Sequence, residues 1–247
     1  MAYVLSLVYC IYFFTTAAIL LIALAFLYPI DLLLDQQKKF LHYLTIGWGF
    51  HFVRINPFWN CRFEGIENLK EGHNYVIVAN HQSLADIFVL SGLKHHFRWV
   101  VKDSLMRIPF FGWIMRMNGD VSLKRGDIKS IKEMMADCKK WLAKNVSILI
   151  FPEGTRSEDG IIKQFRDGPF RLSVDCDVPI VPVVIAGTRQ VLAKRARVFN
   201  FAAEMTVRIL PPVMPASFQG SPANMRRSVQ ALMTEHLAQM TAAAKLS

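Results

Sequence analysis

Three times along this chain an apolar, strand-forming run stops abruptly at a polar corner. Tyr75-Val76-Ile77-Val78-Ala79 leads into Asn80-His81-Gln82-Ser83-Leu84-Ala85-Asp86. Gly119-Asp120-Val121-Ser122-Leu123 delivers Lys124 and Arg125, and Ser147-Ile148-Leu149-Ile150-Phe151 ends at Pro152-Glu153-Gly154-Thr155-Arg156-Ser157. β-Branched apolar runs of this length read as buried strands. Strands that present polar groups at the same kind of end fit an open α/β sheet, whose ligand crevice lies beyond the carboxyl ends of its strands. Further strands are predicted at 62–66, 98–101, 180–185 and 205–209. A helix is predicted over 127–144, with Ile128, Ile131, Met134, Met135, Cys138, Trp141 and Leu142 on one face, and a closing helix over 226–245. The alternation predicts an α/β fold with a largely parallel twisted sheet flanked by helices.

The first corner carries the most chemistry. His81 lies in the loop leaving a strand, and Ser83 reads as the N-cap of a helix whose apolar positions are Leu84, Ile87, Phe88 and Leu90. Asp86 then falls in the first helical turn. From there its carboxylate can hold one imidazole nitrogen and leave the other free to take a proton from a hydroxyl. The plainer alternative is that Ser83 and Asp86 form a capping box and His81 is an ordinary loop histidine. Glu153 with Arg156 could likewise be a surface ion pair, and Lys124 with Arg125 a solvated strand end. Those local readings leave the threefold repetition of the pattern unexplained.

Composition points to a membrane. Hydrophobic residues make up 53% of the 247, and the mean hydropathy is +0.27. Much of that excess sits at positions 2–30, which contain no charged side chain and are long enough for a spanning or deeply buried helix. Ala23-Leu24-Ala25 resembles a signal-peptide cleavage site, but no Lys or Arg precedes the run and the run is too long for a signal core. A retained anchor is therefore expected. The aromatic stretch from Phe40 to Val53 reads either as an interfacial helix or as a helix packed on the core. Lys38 and Lys39 follow the first apolar run, which puts the following domain on the cytoplasmic side of a membrane, the bacterial inner membrane fitting best. The expected division is an anchor and interfacial helix over 1–60 and a catalytic domain over 61–247.

The net charge of +10 and pI near 9.6 could serve nucleic acid, but the cations are scattered and no nucleic-acid-binding motif accompanies them. An anionic membrane surface and phosphorylated substrates explain the charge and agree with the anchor. The cysteines, Cys10, Cys61, Cys138 and Cys176, are far apart and lack metal-ligand spacing, so free thiols and no metal site are expected. There is no G-x-S-x-G nucleophile elbow.

In order along the chain, Asn80-His81-Gln82-Ser83 with Asp86, Gly119 through Arg125, Phe151 through Ser157, and Val178-Pro179-Ile180-Val181-Pro182-Val183-Val184 resemble the four sequence blocks of the glycerolipid acyltransferases. Lys102 and Leu105, leading into Pro109-Phe110-Phe111-Gly112-Trp113, add a further likeness, and the whole covers residues 61–212. In the second block Ser122 and Lys124 stand where that family commonly has Phe and Asp. The resemblance implies acyl transfer from acyl-CoA or acyl-carrier protein, as co-substrate and not cofactor, to a lysophospholipid hydroxyl, with lysophosphatidic acid as acceptor and phosphatidic acid as product. His81 would be the general base and Asp86 its orienting partner. Lys102, Arg125 and Arg156 would hold the acceptor phosphate. Glu153, Gly154 and Thr155 would shape the acceptor site, Glu153 by bonding a glycerol hydroxyl. Glycerol 3-phosphate, another lysophospholipid, or an inactive lipid-binding role remain the alternatives.

Overall fold

A computed structural model describes residues 2–194, 196 and 198–246. Seven strands form one mixed sheet in the order β1-β7-β6-β2-β5-β3-β4. They are β1 (Trp59–Glu64), β2 (Val76–Ala79), β3 (Phe97–Lys102), β4 (Val121–Leu123), β5 (Ser147–Ile150), β6 (Ile180–Ala186) and β7 (Ala203–Ile209). Only the β6–β7 pair is antiparallel; the other neighbours run parallel. The predicted α/β class and all seven predicted strands are therefore present. The first strand begins and ends earlier than expected. Its inward positions are Trp59, Cys61 and Phe63, and Gly65 ends it at φ +74, where a Cβ would lie 2.2 Å from the Ile209 carbonyl oxygen.

Strand alternation feeds two cores, one on each face of the sheet. On β2, Val76 and Val78 face one side, where they meet α6 (Ile128–Ala143), α7 (Gly168–Cys176) and α9 (Pro222–Leu246) through Met134, Phe170 and Met233. Ile77 and Ala79 face the other, against α2 (Lys39–Arg54) and α3 (Ala85–Leu90) through Val53, Val89 and Leu90. Two residues of the predicted α6 stripe fall outside that core. Ile128 is 73% exposed and Ile131 is 40% exposed, because burial on this helix begins at Met134 and continues through Cys138 and Leu142. The side chain of Asp127 caps the helix by accepting from the Ser130 N–H.

The N-terminal apolar run is α1 (Ala2–Leu34), and it lies along the domain instead of projecting from it. The Tyr9 hydroxyl donates to the Phe52 carbonyl of α2, and the Phe13 ring contacts Trp48, Phe52 and Phe88. Leu20 and Leu24 share a buried cluster with Leu41 and with Ile114 of α5 (Phe111–Asn118). A fully buried leucine such as Leu24 or Leu41 contributes ~1.5–3 kcal/mol. The hairpin turns at Lys38, in the left-handed region at φ 51, and Asp35 accepts from the N–H groups of Gln37, Lys39 and Phe40. Arg98 of β3, fully buried, ties this turn to the sheet. Its guanidinium donates to the carbonyls of Gln37 and Lys38 and lies 4.7 Å from the Trp141 ring centroid.

The helix over residues 39–54 packs on the domain, with Leu41, Ile46, Phe52 and Val53 buried, while Phe40 and Tyr43 remain exposed. Lys38, at the same turn, also makes contacts within the fold. It donates to the Met117 carbonyl and lies over the Tyr28 ring, which leaves it half-buried.

Candidate active site

The four adjacent parallel strands β2, β5, β3 and β4 bring the polar corners to one end of the sheet. His81 follows β2, Phe151 through Arg156 follow β5, Lys102 ends β3, and Arg125 lies just past β4. Such a crevice is the expected ligand position of an open α/β sheet.

At the β2 corner, Asp86 is fully buried, and its Oδ2 accepts three hydrogen bonds. These come from His81 Nδ1 at 2.7 Å, the Gln82 N–H at 2.7 Å and the Ser83 N–H at 2.9 Å. The capping and orienting readings of Asp86 are thus not alternatives, since one oxygen serves the backbone and the imidazole together. The helix itself begins at Ala85, one residue later than a Ser83 cap implies. Ser83 Oγ accepts from the Ala85 N–H and donates to the Leu192 carbonyl. A carboxylate can only accept, so the bond at Nδ1 assigns the imidazole proton to that nitrogen. Nε2 is left as an acceptor, and among the described residues it has no protein partner. The ring is stacked on Phe151 with centroids 4.0 Å apart and planes 14° apart, and Phe151 leans in turn on Trp99.

The β2 and β5 corners are sewn together by backbone bonds. The His81 N–H donates to Glu153 Oε1 at 2.8 Å, the Lys163 N–H donates to Glu153 Oε2 at 2.9 Å, and the Ser157 N–H donates to the His81 carbonyl at 2.7 Å. Glu153 is 5% exposed. Burial pushes its carboxyl up to about 6, against the opposing pull of the two N–H donors. Beside the acceptor-hydroxyl role expected of it, Glu153 has a structural one. The carboxylate points into the protein and clamps the histidine loop to the loop after β5, because two buried N–H groups need an acceptor there. Asn80 performs a similar task towards β6, accepting from the Ile185 N–H and donating to the Ile185 carbonyl.

The cations occupy the other half of the crevice. Lys102 pairs in register with Leu123, two residues before Arg125. Lys102, Arg125 and Gly154 line the same cavity as His81, whereas Thr155 and Arg156 do not line it. Arg166, which the sequence pattern did not single out, stands beside them. A Cβ on Gly154, which sits at φ +71, would lie 3.2 Å from Arg166 Nε. The Arg125 guanidinium is pushed down, first by burial and then by the charge of Arg166. Lys102, Arg125, Arg156 and Arg166 have no carboxylate partner among the described residues, while Arg62, Arg107, Arg208 and Arg226 each have one. Neither periodicity nor a motif distinguished Arg166 in the sequence. Phe151 and Asn80 were legible as the strand end and the first corner residue, but their tasks depend on contacts across the sheet.

Behind the histidine the crevice opens into a cavity of about 520 Å³, walled largely by Phe13, Trp48, Phe52, Phe88 and Phe111. That size lies within the ~300–1,000 Å³ usual for small-molecule sites. The cavity is apolar along most of its length, with an imidazole and two cations where it meets the strand ends. It accommodates a molecule with a long apolar tail and an anionic head. Among the described residues, the two serines beside His81 in the motif loops are already engaged, the Ser83 hydroxyl donating to the Leu192 carbonyl and that of Ser157 to Asp159.

The family model described as Acyltransferase matches residues 60–186. A chloroplastic 1-acyl-sn-glycerol-3-phosphate acyltransferase of Arabidopsis thaliana is 35% identical over 186 residues, which are 74% of this chain and 52% of the relative. The 1-acyl-sn-glycerol-3-phosphate acyltransferase of Saccharomyces cerevisiae is 32% identical over 181 residues, 72% of this chain and 59% of that one. The chain spans about half the length of the curated relatives it matches most strongly. Among solved structures, the 1-acyl-sn-glycerophosphate acyltransferase PlsC of Thermotoga maritima superposes with a TM-score of 0.79 at 25% identity, covering 98% of both chains.

Proposed function

The chain belongs to the acyltransferase family, and from that premise we propose that it moves a fatty acyl group from a thioester donor to the sn-2 hydroxyl of lysophosphatidic acid, giving phosphatidic acid. The observation that carries this reading is the His81–Asp86 pair at 2.7 Å, with Nε2 unpartnered at the head of an apolar cavity beside unpaired cations. Nε2 takes the proton of the acceptor hydroxyl as its oxygen bonds to the thioester carbonyl carbon. The carbon–sulfur bond then breaks, and the imidazolium returns the proton to the departing thiolate. An alcohol is a weak nucleophile at neutral pH, and a positioned base contributes ~10²–10⁴-fold. Because the thioester is activated and the two serines beside His81 are already engaged, the acyl group passes directly to the acceptor without an acyl-enzyme.

Lys102 and Arg125 hold the acceptor phosphate, with Arg166 joining them and Arg156 adding its charge from outside the cavity lining. Guanidinium groups suit this work because they can grip phosphate oxygens in pairs. Gly154 leaves room for Arg166, and Thr155 helps shape the turn. The acyl chain lies in the aromatic cavity. Residues 61–247 supply the chemistry, and the hairpin of residues 1–60 seats them on a membrane. The exposed apolar face of α1, which includes Ile11, Phe14, Ile22 and Phe26, supports that seating. Exposed Lys39, at the hairpin turn, favours the cytoplasmic face.

The test is thiol release and lipid-product analysis with purified protein. Acyl-CoA and acyl-carrier protein would be compared as donors, and lysophosphatidic acid, glycerol 3-phosphate and zwitterionic lysolipids as acceptors. Phosphatidic acid from lysophosphatidic acid is the expected product. Preferential use of glycerol 3-phosphate would reassign the acceptor, and no thiol release with any pair would leave an inactive lipid-binding protein.

A further inference from the structure

The turn from Arg107 to Phe110, between α4 (Asp103–Met106) and α5, and the first turn of α5 form a knuckle that carries three large apolar side chains outward. Ile108 is 43%, Phe110 48% and Trp113 49% exposed, and the Phe110 and Trp113 rings lie 5.5 Å apart. A soluble surface seldom groups an aromatic pair with an isoleucine in this way without a partner. The backbone holds them there. Phe110 sits at φ 67 and ψ −62, a region L-residues rarely adopt, and the Phe111 N–H closes a three-residue turn onto the Pro109 carbonyl. Gly112 anchors the turn against Met106, whose carbonyl oxygen would lie 2.0 Å from any Cβ at that position. Strain of this kind persists only where the surroundings enforce it. Here it lifts an aromatic side chain out of the fold.

Two observations say what covers the knuckle. It is continuous with the apolar surface of α1, since Phe111 touches both Phe13 and the exposed Phe14. It is also flanked by cations. Arg116 is exposed and has no acidic partner among the described residues, while Arg107 is exposed but bound to Asp103. Aromatic side chains with neighbouring arginines are the usual composition of an element seated at the headgroup level of a bilayer. Ile108 and Phe111 at the same time line the cavity that His81 heads. We propose that the knuckle is a second membrane-inserting element, seating Phe110 and Trp113 in an anionic lipid surface beside α1. The cavity would then open to lipid between the two.

The inference concerns where the protein meets lipid and does not depend on the acceptor assigned above, so it is tested without turnover. The full chain would be reconstituted into phosphatidylglycerol–phosphatidylcholine nanodiscs, with or without brominated acyl chains. Tryptophan emission of wild type and Trp113→Phe would then be compared. The emission lost on substitution is expected to be the blue-shifted part that brominated lipid quenches and aqueous iodide does not. Phe110→Ser should make the Trp113 contribution accessible to iodide, and Arg116→Glu should do so more at high than at low phosphatidylglycerol content. Both side chains are exposed, so the fold should survive. A Trp113 contribution that iodide quenches and brominated lipid spares would overturn the proposal. So would one shielded from both quenchers in discs that hold two copies, which would place the knuckle in a contact between chains.

Discussion

The two halves of the crevice are built on opposite principles. At the β2 and β5 corners most polar groups are bonded, with the buried Asp86 Oδ1 and His81 Nε2 among the exceptions. Asp86 is fully buried with one oxygen accepting three donors, Glu153 spans two loops, and Asn80 binds both backbone groups of Ile185. In the other half Arg125 and Arg166 stand close to one another, Lys102 lines the same cavity as Arg125, and none of the three has a carboxylate partner among the described residues. Like charges side by side are unfavourable until an anion joins them, whereas a bonded imidazole is ready before any ligand arrives. The rigid half suits a step that needs fixed geometry. The unpaired half suits capture of a phosphate.

That contrast breaks first at the dyad. His81→Ala should lower kcat by ~10²–10⁴-fold, the usual worth of a positioned base, with little change in the acceptor KM. Asp86→Asn should come close to it. Asparagine can keep one acceptor oxygen, but its amide nitrogen then lies where no acceptor waits and the preference for a proton on Nδ1 weakens. Circular dichroism and membrane retention should match wild type for His81→Ala. Near-normal turnover in that variant would show that the bonded half does no chemistry.

The cation half should fail differently. A hydrogen bond to an ionised group is worth ~1.5–3 kcal/mol, so Arg125→Ala or Arg166→Ala should raise the acceptor KM about ten- to a hundredfold and change kcat and the donor KM much less. Because both would grip a single phosphate, the double variant should lose less than the product of the single losses. If both variants instead raised the donor KM alone, these cations would belong to the donor's phosphates. The contrast between the halves would stand, but its meaning would change.

Gly154 joins the halves, and its replacement tests how closely they are coupled. Alanine at φ +71 is strained, and its Cβ would stand 3.2 Å from Arg166 Nε. Gly154→Ala should raise the acceptor KM by less than Arg166→Ala does, and most of that effect should disappear when Arg166 is already alanine. An undiminished effect in the Arg166→Ala background would mean that the glycine acts through the clamp loop.

The sequence showed the strands and the corners plainly, because β-branched runs such as Val76–Ala79 and Ser147–Ile150 announce themselves locally. It also showed His81 and Asp86, whose partnership spans a single turn. It did not show that Glu153 turns inward, since that depends on the Lys163 and His81 N–H groups arriving from separate loops. Arg166 was hidden for the same reason, as its nearness to Arg125 arises only when the segment after β5 folds back towards β4. The outward Ile128 and Ile131 share the period of the buried residues on α6, and periodicity alone cannot say how far along a helix the core extends. The hairpin's seating on the domain was equally invisible. An uncharged run such as 2–30 reads the same whether it leaves the domain or lies along it.

The smallest expected effect lies in the pH dependence of stability, and it concerns the clamp. Burial raises the Glu153 carboxyl from an ordinary 4.5 to about 6 in the folded protein. The folded chain therefore holds more protons than the unfolded chain between those values, and folding stability falls as pH rises through that window. The stability this group contributes is fully present below about 4.5 and is lost by the time pH passes about 6, an effect of roughly 2 kcal/mol at most. Glu153→Gln removes the titration but leaves the amide nitrogen facing a backbone N–H, so the variant should be less stable at every pH. The difference between the thermal midpoints of wild type and variant in detergent micelles should narrow from pH 4.5 to 6.5 as wild type loses its advantage. A gap that widened with pH would mean that the two N–H donors outweigh burial, and that the ionised carboxylate is the form the clamp was built to hold.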